Sequence, residues 1–400
     1  KSNGYIHMKN LILGFKRGRN KWHGFSKALQ NAGQSVDVVI DNFDSIEGKY
    51  DRIWCMAESL LPVQLELEKR YGLNNITQKA VETLINKKKF DDFCIASEFD
   101  MLVPYSVIPT CIEDLDYFYK KAFIIKPVIG SGSKQNFDTN IAYLSYRNKQ
   151  AFLKSVPCDL LFYVNQSGFI DKNFNNLRNY YMAQEFLEHN TFYAPYFYAN
   201  ENGEVKHIFT VEGNLHVNKI DEHKFEAKPT DFMMVDDNEI PSEVLYYRNY
   251  FYETIVEKLQ IKNMFFAGPD FYFDSNKDVK IIDCNPRIGT GLQILNEVHN
   301  NELLTKIILN KPFEIETKFW WVTAKIKPGK IKQVKDMSKF QEYFAFPTPH
   351  LKPGMVFPEF AWGAQQNVAK IILKIPGKNK SDMYETYQTL CEQLQNCIVY

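Results

Sequence analysis

Two short segments rich in apolar and acidic residues, 268–274 and 281–291, constrain the fold of this chain more than any other feature. Each is typical of a β-strand, and a polar turn separates them. Because alternate side chains of a strand share a face, Asp283 and Asn285 are expected to project together from the second strand. If the strands pair, Asp270 can face them from the first. The sequence therefore predicts a hairpin that gathers two carboxylates and an amide.

The oxygen atoms of this hairpin are suited to a divalent metal ion. Carboxylate and amide oxygens are hard ligands that fit Mg²⁺ holding a polyphosphate, with Mn²⁺ as the alternative ion. Arg287 follows Asn285 after a single proline and is suited to a carboxylate or phosphoryl oxygen. An isolated Asp-x-Asn is more often part of a hairpin with surface acids, but the Pro-Arg that follows favours a metal site. The candidate metal ligands are Asp270, Asp283 and Asn285.

A second segment, 121–133, has the features of a phosphate-binding strand and loop. A hydrophobic strand ends at Lys126-Pro127 and leads into a loop of small residues. Glycines in that loop permit positive φ angles and close backbone approach to a polyphosphate, and serines add hydroxyl donors. An ordinary strand and turn would look the same in isolation, but the acidic hairpin downstream favours phosphate binding. The candidate residues are Lys126, Gly130, Ser131, Gly132 and Ser133.

Taken in order, these motifs resemble those of the ATP-grasp enzymes. The segment 283–287 is similar to the family motif [ED]-x-N-P-R, with Asp283 where most members have Glu and Asp270 at the earlier metal position. The resemblance implies an α/β (α+β) architecture: an ATP-grasp fold, with an N-terminal Rossmann-like pre-ATP-grasp domain and a small strand-rich C-terminal domain. It also implies that Lys126 contacts the α- or β-phosphate of ATP.

A weaker match lies in the stretch 75–99, whose pattern is helical throughout. The sequence Asn-Lys-Lys-Lys-Phe at 86–90 resembles D-K-x-x-[FM], in which the lysine reaches the nucleotide phosphates. Lys87 fits that spacing, although Asn86 replaces the acid, and Lys88 is an alternative. A lysine triplet is otherwise usually a solvated face, so the two interpretations are about equally supported.

The resemblance also implies an adenine-binding connection between two lobes. The stretch 181–188 is similar to [VI]-x-[QE]-[EK]-[FYW]-[ILV], whose backbone groups hold the base. The family's ribose-binding acid has no clear equivalent, and Glu188 is the substitute candidate. A lysine near the end of a later strand fits another phosphate contact, or equally a surface lysine. The nucleotide contacts implied in this region are Glu185, Phe186, Leu187 and Lys219.

Length and pattern predict three domains. A chain of 400 residues exceeds one compact core. Strand-like and helix-like stretches alternate up to residue 75 and predict a small parallel α/β unit. The expected domains are 1–75, then 76–316 with lobes of about 76–184 and 185–316, and then a strand-rich 317–400. Residues 1–7 are expected to be a remnant ahead of a native Met8.

Composition excludes several other classes of protein. The 48 basic and 48 acidic residues balance, which argues against a nucleic-acid partner. No apolar run approaches the roughly 20 residues that span a bilayer, so no membrane association is expected. The 7 scattered cysteines indicate reduced thiols and a cytoplasmic location. The 8 histidines show no zinc-ligand spacing.

The residues and the resemblance together predict an ATP-dependent carboxylate–amine ligase, closest in character to the ATP-grasp L-amino-acid ligases. Such an enzyme forms an acyl phosphate, which an amine then attacks to give an amide, ADP and phosphate. Arg287 would be the catalytic residue, stabilising the tetrahedral oxyanion. Gly289 and Gly291 are expected to leave room beside it for an acyl group.

Two alternatives stay open. One is an ATP-grasp enzyme with a non-amine acceptor, namely a carboxylase component or a phosphotransferase. The other is a non-catalytic ATP-binding protein. The expected partners are small carboxylates and amines, and homodimers are common in the family.

Overall fold

The computed structural model describes most of the chain as a succession of strands and helices. The described residues are 8–15, 19–130, 144–155, 158–171, 174, 176–187, 191–273, 278–345, 351–357 and 369–400. In chain order the strands are β1 (Lys9–Gly14), β2 (Ser35–Ile40), β3 (Arg52–Cys55), β4 (Ser106–Val107), β5 (Phe123–Pro127), β6 (Leu144–Tyr146), β7 (Phe169–Asp171), β8 (Leu177–Asn179), β9 (Tyr181–Glu185), β10 (Thr191–Ala199), β11 (Val205–Lys219), β12 (Lys224–Val235), β13 (Met264–Ala267), β14 (Asp270–Phe273), β15 (Val279–Ile282), β16 (Lys318–Thr323), β17 (Gly329–Lys330), β18 (Gln333–Val334), β19 (Val356–Phe357), β20 (Ile372–Gly377) and β21 (Ile398–Val399). The helices are α1 (Arg19–Asn31), α2 (Leu61–Tyr71), α3 (Gln78–Ile85), α4 (Lys87–Ala96), α5 (Lys149–Ser155), α6 (Cys158–Ser167), α7 (Ser242–Leu259), α8 (Thr290–Val298), α9 (Leu303–Ile308) and α10 (Lys380–Gln395). Within these residues, no helix combines the length and the apolar character needed to cross a membrane.

The N-terminal region is a small parallel sheet in the order β2-β1-β3. Its central strand is buried on both sides, with Leu11, Ile12 and Leu13 all 0% exposed. Burial of both faces is typical of a parallel strand covered by helices. Helix α1 contacts β1 and β2, and α2 contacts β3. This is the parallel α/β unit that the alternating pattern predicts.

A 12-stranded sheet forms the centre of the molecule. Its main path is β15-β14-β10-β11-β12-β6-β5-β9-β4, with β13 beside β10, and with β16 joining β12 to β20. Strand β12 joins the strands β15-β14-β10-β11 to the strands β6-β5-β9-β4, because it pairs with β11 and, through Lys224 and Phe225, with β6. Residues Asp231 to Met233 of the same strand pair with β16. The strands predicted to bind phosphate (β5) and metal (β14, β15) therefore belong to one continuous sheet.

The helical stretch predicted over 75–99 is two helices instead of one. Asn86 is extended, with φ −116° and ψ 109°, and its side chain caps α4 by accepting a hydrogen bond from Lys89 N–H at 2.9 Å. Asparagine is among the preferred N-cap residues, because its side-chain oxygen satisfies a backbone donor left free at a helix start. The break places Lys87 in the first position of α4.

Helix α7 packs under the sheet with the stripe that its sequence predicts. Val244, Phe251, Ile255 and Leu259 are each at most 1% exposed, and Tyr247 packs against the same cluster. These residues recur at helical spacing, so they lie on one face. The helix supports β10 and β11 from the side opposite the candidate site.

The C-terminal region contains the short strands that were predicted and a long helix that was not. Helix α10 has 16 residues, and its Met383 and Leu394 are 0% exposed. Both belong to one apolar cluster with Leu373 and Ile375 of β20. The description of this region as strand-rich was therefore incomplete, because a helix covers the extension of the central sheet.

Candidate functional site

The hairpin predicted from the acidic segments is present. Strands β14 and β15 pair in antiparallel fashion, with Asp270 opposite Ile282. Strand β15 ends there, however, and Asp283 has a left-handed backbone with φ +43°. The prediction that Asp283 and Asn285 share the face of one strand was therefore wrong. Aspartate tolerates this conformation better than most residues, and the turn lets Asp270 N–H donate to the Asp283 carbonyl at 3.3 Å.

Asn285 is held by a different strand. Its backbone exchanges two hydrogen bonds of 2.9 Å with Ala267 at the end of β13. Between the two candidate ligands, Cys284 is buried and its Sγ donates to the Gly268 carbonyl at 3.7 Å. Hydrogen bonds to β13 and β14 thus fix the backbone of segment 283–285, and with it the positions from which the Asp283 and Asn285 side chains extend.

The two carboxyl groups differ in charge because their surroundings differ. Burial, and then the nearby charge of Asp283, raises the pKa of Asp270 to about 8. Burial would also raise the pKa of Asp283, but the ammonium groups of Lys126 and Lys87 outweigh it and hold that pKa below its ordinary value. Lys126 Nζ lies 3.5 Å from Asp283 Oδ1. The pair therefore carries about one negative charge near neutral pH, with Lys126 beside the ionised member.

Among the described residues, no group of three or more His, Cys, Asp and Glu side chains is placed to hold a metal ion. A metal site here needs a third ligand of another kind, which the predicted set supplies as the Asn285 amide. The donors would then be two carboxylates and an amide oxygen, as a hard cation requires.

Lys87 is the member of the lysine triplet that is directed at the site. Its backbone N–H donates to the Val128 carbonyl at 2.9 Å, and its Nζ donates to the Gly130 carbonyl. Lys88 pairs with Asp92 and Lys89 with Glu82, both away from the acids. Gly130 has φ +146°, a conformation that favours glycine. The predicted residues Ser131, Gly132 and Ser133 lie outside the described residues.

Arg287 lies next to the acids and is held by a residue that the sequence analysis missed. Its Nε donates to Glu58 Oε1 at 2.8 Å, and its Nη2 approaches Asn285 Oδ1 at 3.4 Å. Glu58 is 7% exposed and follows β3 in a short 3₁₀ turn. An acid just past the carboxyl end of a parallel strand is the signal that could have identified it, because ligand sites collect there.

A second missed residue is Asp91, one helical turn beyond Lys87. Burial raises its pKa to about 6, although the charge of Lys126 and a 2.6 Å hydrogen bond from Ser106 Oγ act in the opposite direction. Gln184 Nε2 also donates to it, at 3.4 Å. Lys126 therefore interacts electrostatically with both Asp91 and Asp283. Only the packing of α4 against β4 brings Asp91 there, so no local pattern indicates it.

The space beside Arg287 is occupied. A side chain at Gly289 would come within 2.5 Å of Tyr196 Cε1, and one at Gly291 within 2.7 Å of the Tyr196 hydroxyl. The expectation that these glycines leave room for an acyl group was wrong. They leave room for the ring of Tyr196, which lets α8 begin close to β10.

The predicted base-binding connection begins at the end of β9 and is held by backbone hydrogen bonds. Glu185 N–H donates to the Tyr105 carbonyl and Phe186 N–H to the Ala122 carbonyl, each at 2.9 Å. Leu187 N–H, the next in line, has no partner among the described residues. That backbone donor is available to a ligand. The candidate ribose acid Glu188 lies outside the described residues.

Two further predicted contacts surround this connection. The Phe186 ring packs edge-on against Phe225, with ring centroids 4.7 Å apart. Lys219 is exposed at the end of β11 and pairs in register with Phe225. The structure therefore places Lys219 at the edge of the connection and not among the acids. The Glu185 side chain pairs outward with Lys121 Nζ at 3.3 Å.

The chain has the ATP-grasp fold, as its motifs imply, because solved ATP-grasp enzymes match it along nearly their whole lengths. An L-amino acid ligase from Bacillus licheniformis matches with a TM-score of 0.68 and 14% identity, over 99% of this chain and 100% of that one. A carboxyaminoimidazole ribonucleotide synthase from Aspergillus clavatus, complexed with ATP, matches with a TM-score of 0.60 and 10% identity, over 98% and 99%. An N5-carboxyaminoimidazole synthetase from Staphylococcus aureus, complexed with ADP, gives 0.59 and 11%, over 98% of each.

Sequence comparison adds nothing to this similarity. No protein-family profile matches the chain, and no curated protein sequence matches it either. At identities of 10–14% the structural similarity establishes the fold, and the activity depends on the residues of the site.

Proposed function

We propose that this protein is an ATP-dependent carboxylate–amine ligase that forms an amide bond through an acyl phosphate and releases ADP and phosphate. The observation that carries the proposal is the 3.5 Å contact between Lys126 of β5 and Asp283 beyond β15. It joins the two predicted motifs, which are separated by more than a hundred residues of sequence. Asp270, Asn285 and Arg287 lie at the same place.

The acids at this point fit a divalent cation. Burial, and then the nearby charge of Asp283, raises the pKa of Asp270 to about 8, so the two carboxyl groups lie close enough to repel each other when both are ionised. A doubly charged ion held by these carboxylates and by the Asn285 amide would offset that repulsion. Mg²⁺, or Mn²⁺ in its place, would supply positive charge there to neutralise that of the ATP phosphates.

The basic groups of the site would bind the triphosphate. Lys126 and Lys87, whose charges both act on Asp283, would contact the phosphates, and Gly130 to Ser133 are the predicted backbone and hydroxyl donors. Glu185 to Leu187 would hold adenine, with Leu187 N–H as a donor, and Lys219 lies at the edge of that segment. The γ-phosphorus would then face the acids and Arg287, where a substrate carboxylate can attack in line.

Arg287 would stabilise the second half of the reaction. Glu58 accepts from its Nε and Asn285 Oδ1 accepts from its Nη2, which leaves the Nη1 hydrogens without a hydrogen-bond partner among the described residues. Those donors suit the acyl phosphate and the oxyanion that forms when the amine attacks. No side chain needs to act as a nucleophile, so positioning and charge supply the catalysis.

Amino-acid-like substrates are the first candidates to test, because an L-amino acid ligase is among the structural matches. The carboxyaminoimidazole synthetases among those matches keep a carboxylating reaction as the second candidate. We expect the ligase to act on small molecules in the cytoplasm, with a homodimer as the assembly common to such enzymes.

The test is release of ADP and phosphate from ATP–Mg²⁺ against a matrix of amino acids and small carboxylates, singly and in pairs, with mass detection of products. Pair-dependent ADP release with a dehydrated adduct is expected. Bicarbonate-dependent ADP release without an amine requirement would favour the second candidate. Release of AMP would contradict the acyl-phosphate route, and binding of ATP without turnover of any pair would favour a non-catalytic protein.

A further inference from the structure

The backbone just before Gly130 is held by an unusual side-chain clamp. Ile129 N–H donates to Asn179 Oδ1 at 2.9 Å, and Asn179 Nδ2 donates back to the Ile129 carbonyl at 2.7 Å. Ile129 lies beyond the end of β5, so neighbouring strands no longer supply all of its partners. Asn179, at the end of β8, is 0% exposed. The Asn179 side chain therefore satisfies both the N–H and the carbonyl group of Ile129.

All hydrogen-bonding positions of the Asn179 amide are occupied. Its Oδ1 also accepts from Tyr180 N–H at 2.8 Å, and its Nδ2 also donates to Asp171 Oδ2 at 3.3 Å. A side-chain amide offers two donors and two acceptor sites, and all four are used. The partners also fix the orientation of the amide, because two N–H groups face its oxygen while a carbonyl and a carboxylate face its nitrogen.

The same short stretch of backbone holds Lys87. Lys87 N–H donates to the Val128 carbonyl at 2.9 Å, and its Nζ donates to the Gly130 carbonyl. Residues 128–130 therefore lie between α4 on one side and Asn179 on the other. Lys126 precedes them by two residues on β5. The clamp thus holds the backbone segment 128–130, which lies between Lys126 and the contacts of Lys87.

We infer that Asn179 is a positioning residue for the phosphates of ATP: its amide holds the Ile129 backbone so that Lys87 and Lys126 act together. This inference rests on the proposed function. Asn179 touches no phosphate itself. With the β-phosphate as the one that Lys126 contacts, loss of Asn179 should weaken contacts to the β- and γ-phosphates and leave adenine binding at residues 185–187 unchanged.

The chain offers a matched control in Asn165, which is 3% exposed on α6. Asn165 clamps Tyr181 in the same way, accepting from its N–H at 2.7 Å and donating to its carbonyl at 2.9 Å. It also donates to the Pro109 carbonyl at 2.8 Å. The two asparagines have similar burial and hydrogen bonding, but Asn165 makes no hydrogen bond to residues 128–130. A purely structural role would make their variants behave alike.

The experiment measures binding of ATP–Mg²⁺ and of AMP by calorimetry to the wild type, Asn179→Ala and Asn165→Ala, with circular dichroism to verify folding. We expect Asn179→Ala to weaken ATP binding roughly tenfold or more, as loss of two backbone hydrogen bonds would, with AMP binding nearly unchanged. Asn165→Ala should bind both as the wild type does. If Asn179→Ala does not fold, Asn179→Asp keeps the volume and places a carboxylate oxygen against the Ile129 carbonyl, so the same selective loss is expected.

Three results would overturn the inference. Wild-type affinity for ATP in a folded Asn179 variant would contradict the positioning role of Asn179 and leave the proposed function intact. Equal losses in the Asn179 and Asn165 variants, or equal losses for ATP and AMP, would reduce the clamp to a structural role. A wild-type protein that binds no ATP would overturn the proposed function together with the inference.

Discussion

Lys126 illustrates at the scale of single residues how this site concentrates charge. It is 5% exposed, its Nζ lies 3.5 Å from Asp283 Oδ1, and its charge also acts on Asp91. A buried lysine of this kind is stabilised by its acids. Lys149 provides a comparison, since it is 8% exposed on α5 and pairs with Asp116. The two lysines share burial and pairing, but only Lys126 lies beside the candidate metal ligands.

We therefore predict that Lys126→Ala lowers ATP-dependent ADP release by at least about a hundredfold, the usual effect of removing a group that stabilises charge in the transition state. Lys149→Ala should retain most of the activity, because its partner lies outside the site. Steady-state assays on both variants, with melting temperatures as the control for folding, provide the measurement. Comparable activity in the two variants would contradict a phosphate-binding role for Lys126.

At the scale of elements, the start of α4 shows what a local pattern can and cannot predict. The sequence indicates helix across 75–99 and a lysine motif at 86–90, and the structure has two helices there, with Lys87 at the start of the second. The break at Asn86 was not predicted, because asparagine is tolerated inside a helix as well as favoured at its start. Only the segment just beyond β5 decides between the two, since Asn86 bridges to Ile129 and Lys87 N–H bonds to Val128.

This arrangement predicts separate effects for two helix caps. Asn86 caps α4, and Thr77 caps α3 by accepting from Ala80 N–H at 3.1 Å. Asn86→Ala and Thr77→Ala should each destabilise the protein by about 1 kcal/mol, the usual cost of losing a cap. Only Asn86→Ala should also raise the KM for ATP, because Lys87 occupies the first turn of α4. Denaturant unfolding and ATP titration of both variants would check this, and an equal rise in KM for both would refute it.

For the whole molecule, the order of motifs was enough to predict the fold, and tertiary contacts supplied the details of the site. Strand and loop composition predicted β5, the β14–β15 hairpin and the parallel unit before α3. The left-handed turn at Asp283 was not predictable, because it depends on pairing of 283–285 with β13. Glu58 and Asp91 reach the site from elements distant in sequence. Segments that meet only after folding leave no local periodicity, so patterns could not reveal them.

A buried polar cluster around Arg248 affects the stability of the whole chain. Arg248 of α7 is 4% exposed and donates to both Asp237 oxygens, at 2.7 and 3.0 Å. Its Nη1 also lies 3.4 Å from His207 Nε2 on β11, and Thr210 Oγ1 lies 3.0 Å from that nitrogen. Burial, and then the Arg248 charge, lowers the pKa of His207 to about 4, although Asp237 acts in the opposite direction.

These contacts predict an acid-sensitive fold. Above pH 6.5 His207 is neutral in both the folded and the unfolded chain, so it adds no pH dependence. Between pH 6.5 and about 4 only the unfolded chain takes up the proton, so stability falls on acidification, by up to about 3 kcal/mol. Below pH 4 both states are protonated and the effect of His207 ends, while the Arg248 hydrogen bond keeps the pKa of Asp237 low and extends the loss.

The measurement is the apparent melting temperature at pH 7 and pH 5 for the wild type, His207→Gln and His23→Gln. Glutamine can still bond to Thr210 but takes up no proton, so His207→Gln should reduce the drop in melting temperature between the two pH values. His23 is exposed on α1 and outside the cluster, so His23→Gln should melt as the wild type does at both. An unchanged pH difference in His207→Gln would mean that the cluster admits a proton without loss of packing.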